Sequence, residues 1–185
     1  MRFLSAAVLL SLVAGCGAPA TGDTKPAAGA ESAAPEVKLQ ILDRAGIEGL
    51  IDSHRGKVVV MDAWSTACPP CLKEFPHLVE LHHKHGADNV ACISLSFDYE
   101  GIGEPEEQQD KVLGFLRQQG AAFDNVLSSD ESDLLYKKFN LVSVPAVFVY
   151  DREGRLRKRF DNEDSGAEPF TYEDVNKLVE SLLVE

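Results

Sequence analysis

Cationic residues are scarce in this chain. Lys and Arg total 18 against 30 Asp and Glu, for a formal net charge of -12 over 185 residues. Such an acidic surface repels phosphate backbones and anionic headgroups, which argues against nucleic acid and against an electrostatic hold on lipid. Cysteine is scarce as well: Cys16, Cys68, Cys71 and Cys92 are the four present. That is too few for a disulfide-stapled scaffold, and with 44% apolar residues the chain builds a core without staples. A long apolar run is also missing. The N-terminal stretch from Phe3 to Val13 has 11 residues, whereas a membrane-spanning helix needs roughly 20. No internal repeat is visible, and the length suits one domain plus extensions.

The N-terminus has its own logic. Arg2 sits beside the free amine, the apolar run follows, and small residues come next. This is the layout of a secretory signal. The stretch "VAGC" ending at Cys16 resembles a bacterial lipobox. In that family of signals the cysteine is lipidated and becomes the first residue after cleavage. The resemblance implies a signal peptide over 1–15, lipid on Cys16, and an address in the cell envelope, lipid-anchored and facing the periplasm or the exterior. Residues 16–36 are dominated by Ala, Pro, Gly, Thr and Ser. They read as a flexible tether that holds a domain over 37–185 away from a membrane.

Within 37–185 the periodicities alternate. "VKLQIL" is a short strand candidate, and "AGIEGLIDSH" reads as a helical turn or loop, since two glycines weaken it. "KVVVMDAW" and "NVACISLSF" are continuous apolar runs, as in buried central strands. From Cys68 to about His85, Leu72, Phe75, Leu78 and Val79 recur at helical spacing, and Pro76 should bend that helix without ending it. "EEQQDKVLGFLRQQG" is an amphipathic helix closed by Gly120. "DESDLLYKKF" is another helix, with acidic residues in its first turn. "VPAVFVYDREGRLRKRF" is a hairpin, and "TYEDVNKLVESLL" a terminal helix capped by Thr171 with Asp174 three residues on. The order β, β, α, β, α, α, β, β, α predicts an α/β fold. Its mixed β-sheet is flanked by helices on both faces.

"WSTACPPCLKEFP", from Trp64 to Pro76, holds the chemistry. The spacing of Cys68 and Cys71 alone fits half a metal site, a staple or a redox pair. Zinc needs two further ligands. Cys16 is remote, and Cys92 lies alone in an apolar strand, where a buried inert thiol is expected. His82, His83 and His85 bunch at a helix C-terminus, where they serve as favourable caps or as ligands for copper or zinc. A redox pair suits the flanks better. Cys68 falls at the helix start, where unpaired N–H groups and the helix dipole favour a thiolate. Pro69 costs nothing at the first helical position. Cys71 is one turn deeper and suits the resolving role. Asp62, on the strand before, is a candidate proton acceptor for Cys71. Its neighbours Val58, Val60 and Met61 are apolar, so desolvation should raise its pKa. Trp64 should share its face of the strand.

These residues, with the order of elements, resemble the thioredoxin fold. The closest resemblance is to the membrane-anchored TlpA-like thiol–disulfide oxidoreductases, a family that includes the reductants of cytochrome c maturation. The likeness covers about 37–185 and rests on Asp62, Trp64, Cys68, Cys71, Glu74, Pro76 and "SVPAVFV". It implies a cis Pro145 facing the disulfide, with the Val144 backbone open to an incoming peptide and Trp64 beside it. It also implies that the helix near 107–119 is the extra helix of the anchored branch. Ala67 stands where many members carry tryptophan, and some relatives replace Asp62 by Asn and use a glutamate elsewhere, for which Glu100 is the candidate. The implied activity is thiol–disulfide exchange with protein disulfides, run as a reductant. It uses no cofactor and no metal, works as a monomer, and is recharged by a membrane electron-donor protein. Copper delivery on this fold is the alternative, although such proteins usually space their cysteines three apart. A non-enzymatic docking domain is another. A peroxidase would need threonine three residues before the cysteine, where Ser65 stands, with Thr66 one residue later.

Overall fold

The computed structural model describes residues 36–162 and 170–185. The expected signal peptide 1–15, Cys16 and the tether up to residue 35 lie outside the described residues. The elements are β1 (Gln40–Leu42), α1 (Arg44–Ser53), β2 (Val58–Trp64), α2 (Pro69–His85), β3 (Val90–Ser96), a 3₁₀ turn (Pro105–Gln108), α3 (Gln109–Gln119), β4 (Asp124–Ser128), α4 (Ser132–Phe139), β5 (Ala146–Tyr150), β6 (Leu156–Phe160) and α5 (Tyr172–Leu183). They form one six-stranded sheet in the order β1-β4-β3-β2-β5-β6. The β1/β4, β4/β3 and β3/β2 pairs are parallel, whereas β2/β5 and β5/β6 are antiparallel. This is the mixed sheet of a thioredoxin-like fold, with α3 inserted between β3 and β4.

β2 and β3 are buried at every position. Helices cover both faces of the sheet, so neither strand can afford an alternating pattern. On one face Val59, Met61 and Ala63 pack with Ile47 and Ile51 of α1 and Leu135 of α4. On the other, Val58 and Val60 meet Leu78 and Leu81 of α2 and Val175 and Val179 of α5. At the end of β2 on that same face, Trp64 packs with Phe75 of α2 and with Val112 and Leu116 of α3.

Two elements differ from the sequence expectation. "AGIEGLIDSH" is the regular helix α1 despite its glycines. The Asp43 side chain caps it by accepting from the Gly46 N–H, and Ile47 and Ile51, one turn apart, anchor it to the sheet. β4, "DNVLS", has no apolar run to announce it, yet its last four residues are buried. Its polar side chain is satisfied inside. Asn125 Nδ2 donates to the carbonyls of Lys38, Ala121 and Phe123, and its Oδ1 accepts from Ser94 Oγ at 2.8 Å. The terminal helix carries a full capping box built with Asp174, the shorter acid serving in place of Glu or Gln. Pro76 lies inside α2, which continues past it to His85.

Candidate active site

The register of the sheet assembles the site. Ala63, next to last in β2, pairs with Ala146, the first residue of the antiparallel β5. The segment entering β5 is therefore brought beside the segment leaving β2. The Val144–Pro145 peptide bond is cis, and Cys68 Sγ lies 3.6 Å from the Val144 carbonyl oxygen. Val144 is half-buried and forms no backbone–backbone hydrogen bond among the described residues.

Cys68 is the N-cap of α2, with extended backbone, and the helix proper starts at Pro69. Cys68 and Cys71 form a disulfide with Cα atoms 5.2 Å apart. Cys68 Sγ also accepts the Cys71 N–H at 3.2 Å. In the reduced protein that N–H and the helix dipole would act on a thiolate in the same place. Cys68 is partly exposed, between exposed Ala67 and exposed Pro69 and Pro70, while Cys71 is only 2% exposed. The sulfur that can be reached from solvent and the sulfur that cannot are thus different residues.

Asp62 is buried on the α2-facing side of β2. Its Oδ2 accepts a hydrogen bond from the Tyr172 hydroxyl at the start of α5, and its Oδ1 is buried without a partner. Burial pushes its pKa up to about 7. The Tyr172 hydrogen bond pulls the other way, and the negative Glu74 adds to the rise. Glu74 lies in α2 three residues after Cys71, so the charge that Asp62 feels comes from the turn that follows Cys71. Cys92 is free and buried, and burial pushes its thiol far up, with Asp62 adding to the effect. It is the unreactive core thiol that its apolar strand suggests.

Trp64 requires a correction. It was expected to contact substrate, but it is fully buried. Its ring packs 4.9 Å from both Phe75 and Phe115. It supports the start of α2 from beneath and has no surface left for a partner. The Val144 carbonyl and the exposed Ala67 border the disulfide instead, while Pro145 is itself buried.

Glu100 is exposed in the loop after β3. The carboxylate that does meet the redox loop is Asp98, which the sequence reading missed. Its oxygens accept from Thr66 N (3.0 and 3.2 Å), the Thr66 hydroxyl, Ser65 Oγ (3.3 Å) and Ser96 Oγ (2.7 Å), and it pairs with Lys111 of α3 at 3.1 Å. "SFD" at the end of a buried strand was the available signal: an acid where a core run stops. The Thr66 hydroxyl is thereby engaged with Asp98. The His82 and His83 rings lie 5.6 Å apart, tilted by 57°, in the last turn of α2. No group of three or more His, Cys, Asp or Glu is placed to hold a metal ion among the described residues.

A thioredoxin-like fold with a C-x-x-C disulfide at the start of a helix, next to a cis-proline loop, defines a class built for thiol–disulfide exchange. The chain belongs to the AhpC/TSA family, whose model matches residues 30–159. It is 27% identical over 158 residues to "Thiol-disulfide oxidoreductase ResA" of Geobacillus kaustophilus, covering 85% of this chain and 80% of that protein. It is also 27% identical to "Sporulation thiol-disulfide oxidoreductase A" of Bacillus subtilis, over 71% of this chain and 76% of that one. Among solved structures, a thiol-disulfide isomerase from Corynebacterium glutamicum matches with a TM-score of 0.57 and 25% identity, over 71% of this chain and 84% of that one.

Proposed function

We propose that this protein is a thiol–disulfide oxidoreductase that reduces disulfides in other proteins, with Cys68 as the attacking and Cys71 as the resolving cysteine. The observation that carries the reading is the Cys68–Cys71 disulfide, with its outer sulfur partly exposed beside the Val144 carbonyl and its inner one buried.

The cycle balances without a cofactor. Cys68 thiolate attacks one sulfur of a substrate disulfide. The substrate S–S bond breaks, its other sulfur leaves as a thiolate and takes a proton, and a mixed disulfide forms. Cys71 then gives its proton to Asp62 and attacks Cys68 Sγ. The second substrate thiol leaves, and the Cys68–Cys71 disulfide remains. Two electrons have passed to the substrate. The extended backbone of the substrate lies along Val144, in the manner of an added strand. Asp62 is the proton acceptor, and Pro145 shapes the wall opposite the disulfide.

The reductive direction requires a source of electrons outside the domain. The signal-like N-terminus and the tether support a lipid-anchored protein of the cell envelope, recharged by a membrane electron donor. No helix among the described residues is long and apolar enough to cross a membrane. Mass spectrometry of the membrane fraction should find a diacyl or triacyl group on Cys16, and an unprocessed N-terminus would overturn the anchor. The redox claim is tested by alkylation in graded thiol buffers. Cys68 and Cys71 should convert together in one two-electron transition while Cys92 stays unmodified in the folded protein. A potential below that of its compartment's thiol pool supports the reductant, and one far above it makes the protein an oxidant. Absence of any transition would favour a docking or metal-binding role.

A further inference from the structure

Asp98 stands apart from the exchange chemistry, yet it is tied to the loop that carries it. Its side chain is 1% exposed. It leaves the sheet just after β3 and reaches across to the segment between β2 and α2, where it gathers the Thr66 N–H, the Thr66 hydroxyl and the Ser65 hydroxyl. That segment is a tight relay. Ser65 Oγ accepts the Ala67 N–H at 3.1 Å, and the Ser65 carbonyl accepts the Cys68 N–H at 3.1 Å. Every residue from Ser65 to Cys68 is thus held by Asp98 directly or through Ser65. Beyond them, Ser96 and Lys111 complete the set of groups bonded to Asp98, and Lys111 is its one charged partner among the described residues. Burial works to raise the Asp98 pKa, but hydrogen bonds from Thr66 and Ser96, with Lys111, outweigh it and hold the carboxyl below its usual range. The group is therefore an anion at neutral pH.

We propose that Asp98 is the positioning residue of the redox loop and that Lys111, on the inserted helix α3, is its counter-ion, so that α3 sets the reactivity of Cys68. Asp98 acts on the loop both sterically and electrostatically. Sterically, the loop has no sheet partner of its own, and Asp98 supplies the acceptors that fix where Cys68 enters the helix. Electrostatically, Thr66 is two Cα steps from Cys68, at most about 7.6 Å. Asp98 bonds the Thr66 N–H at 3.0 Å with a side chain that is 1% exposed, and a buried charge is screened much less than an exposed one. An unneutralised Asp98 would oppose a thiolate on Cys68, and Lys111 removes most of that opposition. The other charged groups near the pair, Asp62 beneath α2 and Glu74 and Lys73 within it, are the same in every variant below. Lys111 is 53% exposed, so the device is open to whatever docks on α3.

The inference rests on Cys68 being the attacking thiol, and its test separates the two claims. The pH dependence of Cys68 alkylation is measured in the reduced full-length protein and in Lys111→Met, Lys111→Arg and the double variant Lys111→Met/Asp98→Asn. Lys111→Met should move the midpoint up by about half a pH unit, which is about threefold in rate below the midpoint. Lys111→Arg should restore it. In the double variant the uncompensated charge is gone, so the midpoint should return toward the parent value even if the loop is looser. An unmoved midpoint in Lys111→Met overturns the coupling, and so does a double variant displaced further than the single one, which would mark a purely structural effect. Should Cys68 and Cys71 fail to exchange electrons in the parent protein, the exchange reading falls instead, and that is visible in the thiol-buffer titration before any variant is made.

Discussion

Cys68→Ser should reduce insulin no faster than buffer alone, whereas Cys71→Ser should stop halfway and accumulate a mixed disulfide with its substrate. The asymmetry comes from access. Cys68 is partly exposed at the helix N-cap, and Cys71 is 2% exposed one turn deeper. Only the outer sulfur can meet a protein disulfide, and only the inner one is in reach to release it. Non-reducing electrophoresis followed by mass spectrometry of the trapped species measures the outcome. Insulin reduction that survives in Cys68→Ser would end the assignment. A trapped complex formed through Cys71 in that variant would reverse the roles.

The second large effect is expected at Asp62, on stability and on rate together. The carboxyl is displaced from 3.8 to about 7, chiefly by burial. For an acid with a raised folded-state pKa, the unfolded chain ionises first as pH rises. Asp62 therefore costs nothing below about pH 4, and stability is lost between about pH 4 and pH 7, after which the loss is constant. Asp62→Asn should remove that loss, so the variant should be firmer than the parent at pH 8 by on the order of 2–4 kcal/mol and no firmer at pH 4. Chemical denaturation at the two pH values measures it. The kinetic effect has the opposite sense. Resolution of the mixed disulfide in the parent should accelerate as pH rises through about 7, as Asp62 becomes able to accept a proton. In Asp62→Asn that rise should vanish and the step should slow by on the order of 10²-fold at neutral pH, while attack by Cys68 changes little. Tyr172→Phe refines the test. Its hydroxyl donates to Asp62 and opposes the burial effect, so its loss should carry the kinetic rise to higher pH. Equal resolution rates in the parent and in Asp62→Asn would leave Asp62 a polar residue of the core.

The parts of this fold legible in the sequence are those where one local pattern decides. "VVVMDAW" reads as a strand covered on both faces, and the prolines that follow Cys68 suit the start of a helix. The helix inserted near 107–119 is α3, present at Gln109–Gln119. What escaped depends on partners far along the chain. β4 carries an asparagine at a buried position because Ser94 and three backbone carbonyls satisfy it. Tyr172 meets Asp62 across 110 residues, and nothing in "FTYEDV" announces that. Asp98 follows the strand run "NVACISLSF", and only the sheet brings it to Ser65 and Thr66, 33 and 32 residues earlier in the chain. Trp64 was misread for the same reason. A lone tryptophan beside a reactive pair suggests a contact surface, but Phe75 and Phe115 enclose it completely.

The two rims of the sheet bear on how the molecule behaves in a crowd of other chains. One rim is β1, only three residues long. The other is β6, "LRKRF", whose middle carries consecutive cationic side chains and whose pairing with β5 is interrupted by an irregularity at Val149/Tyr150. Short, charged or kinked rims discourage the edge-to-edge joining by which sheets aggregate. Val144, beside the sulfur, lies away from both rims and has no backbone–backbone hydrogen bond among the described residues. A polypeptide that drifts onto the described sheet in extended form finds little on either rim to pair with, so aggregation through those rims is disfavoured.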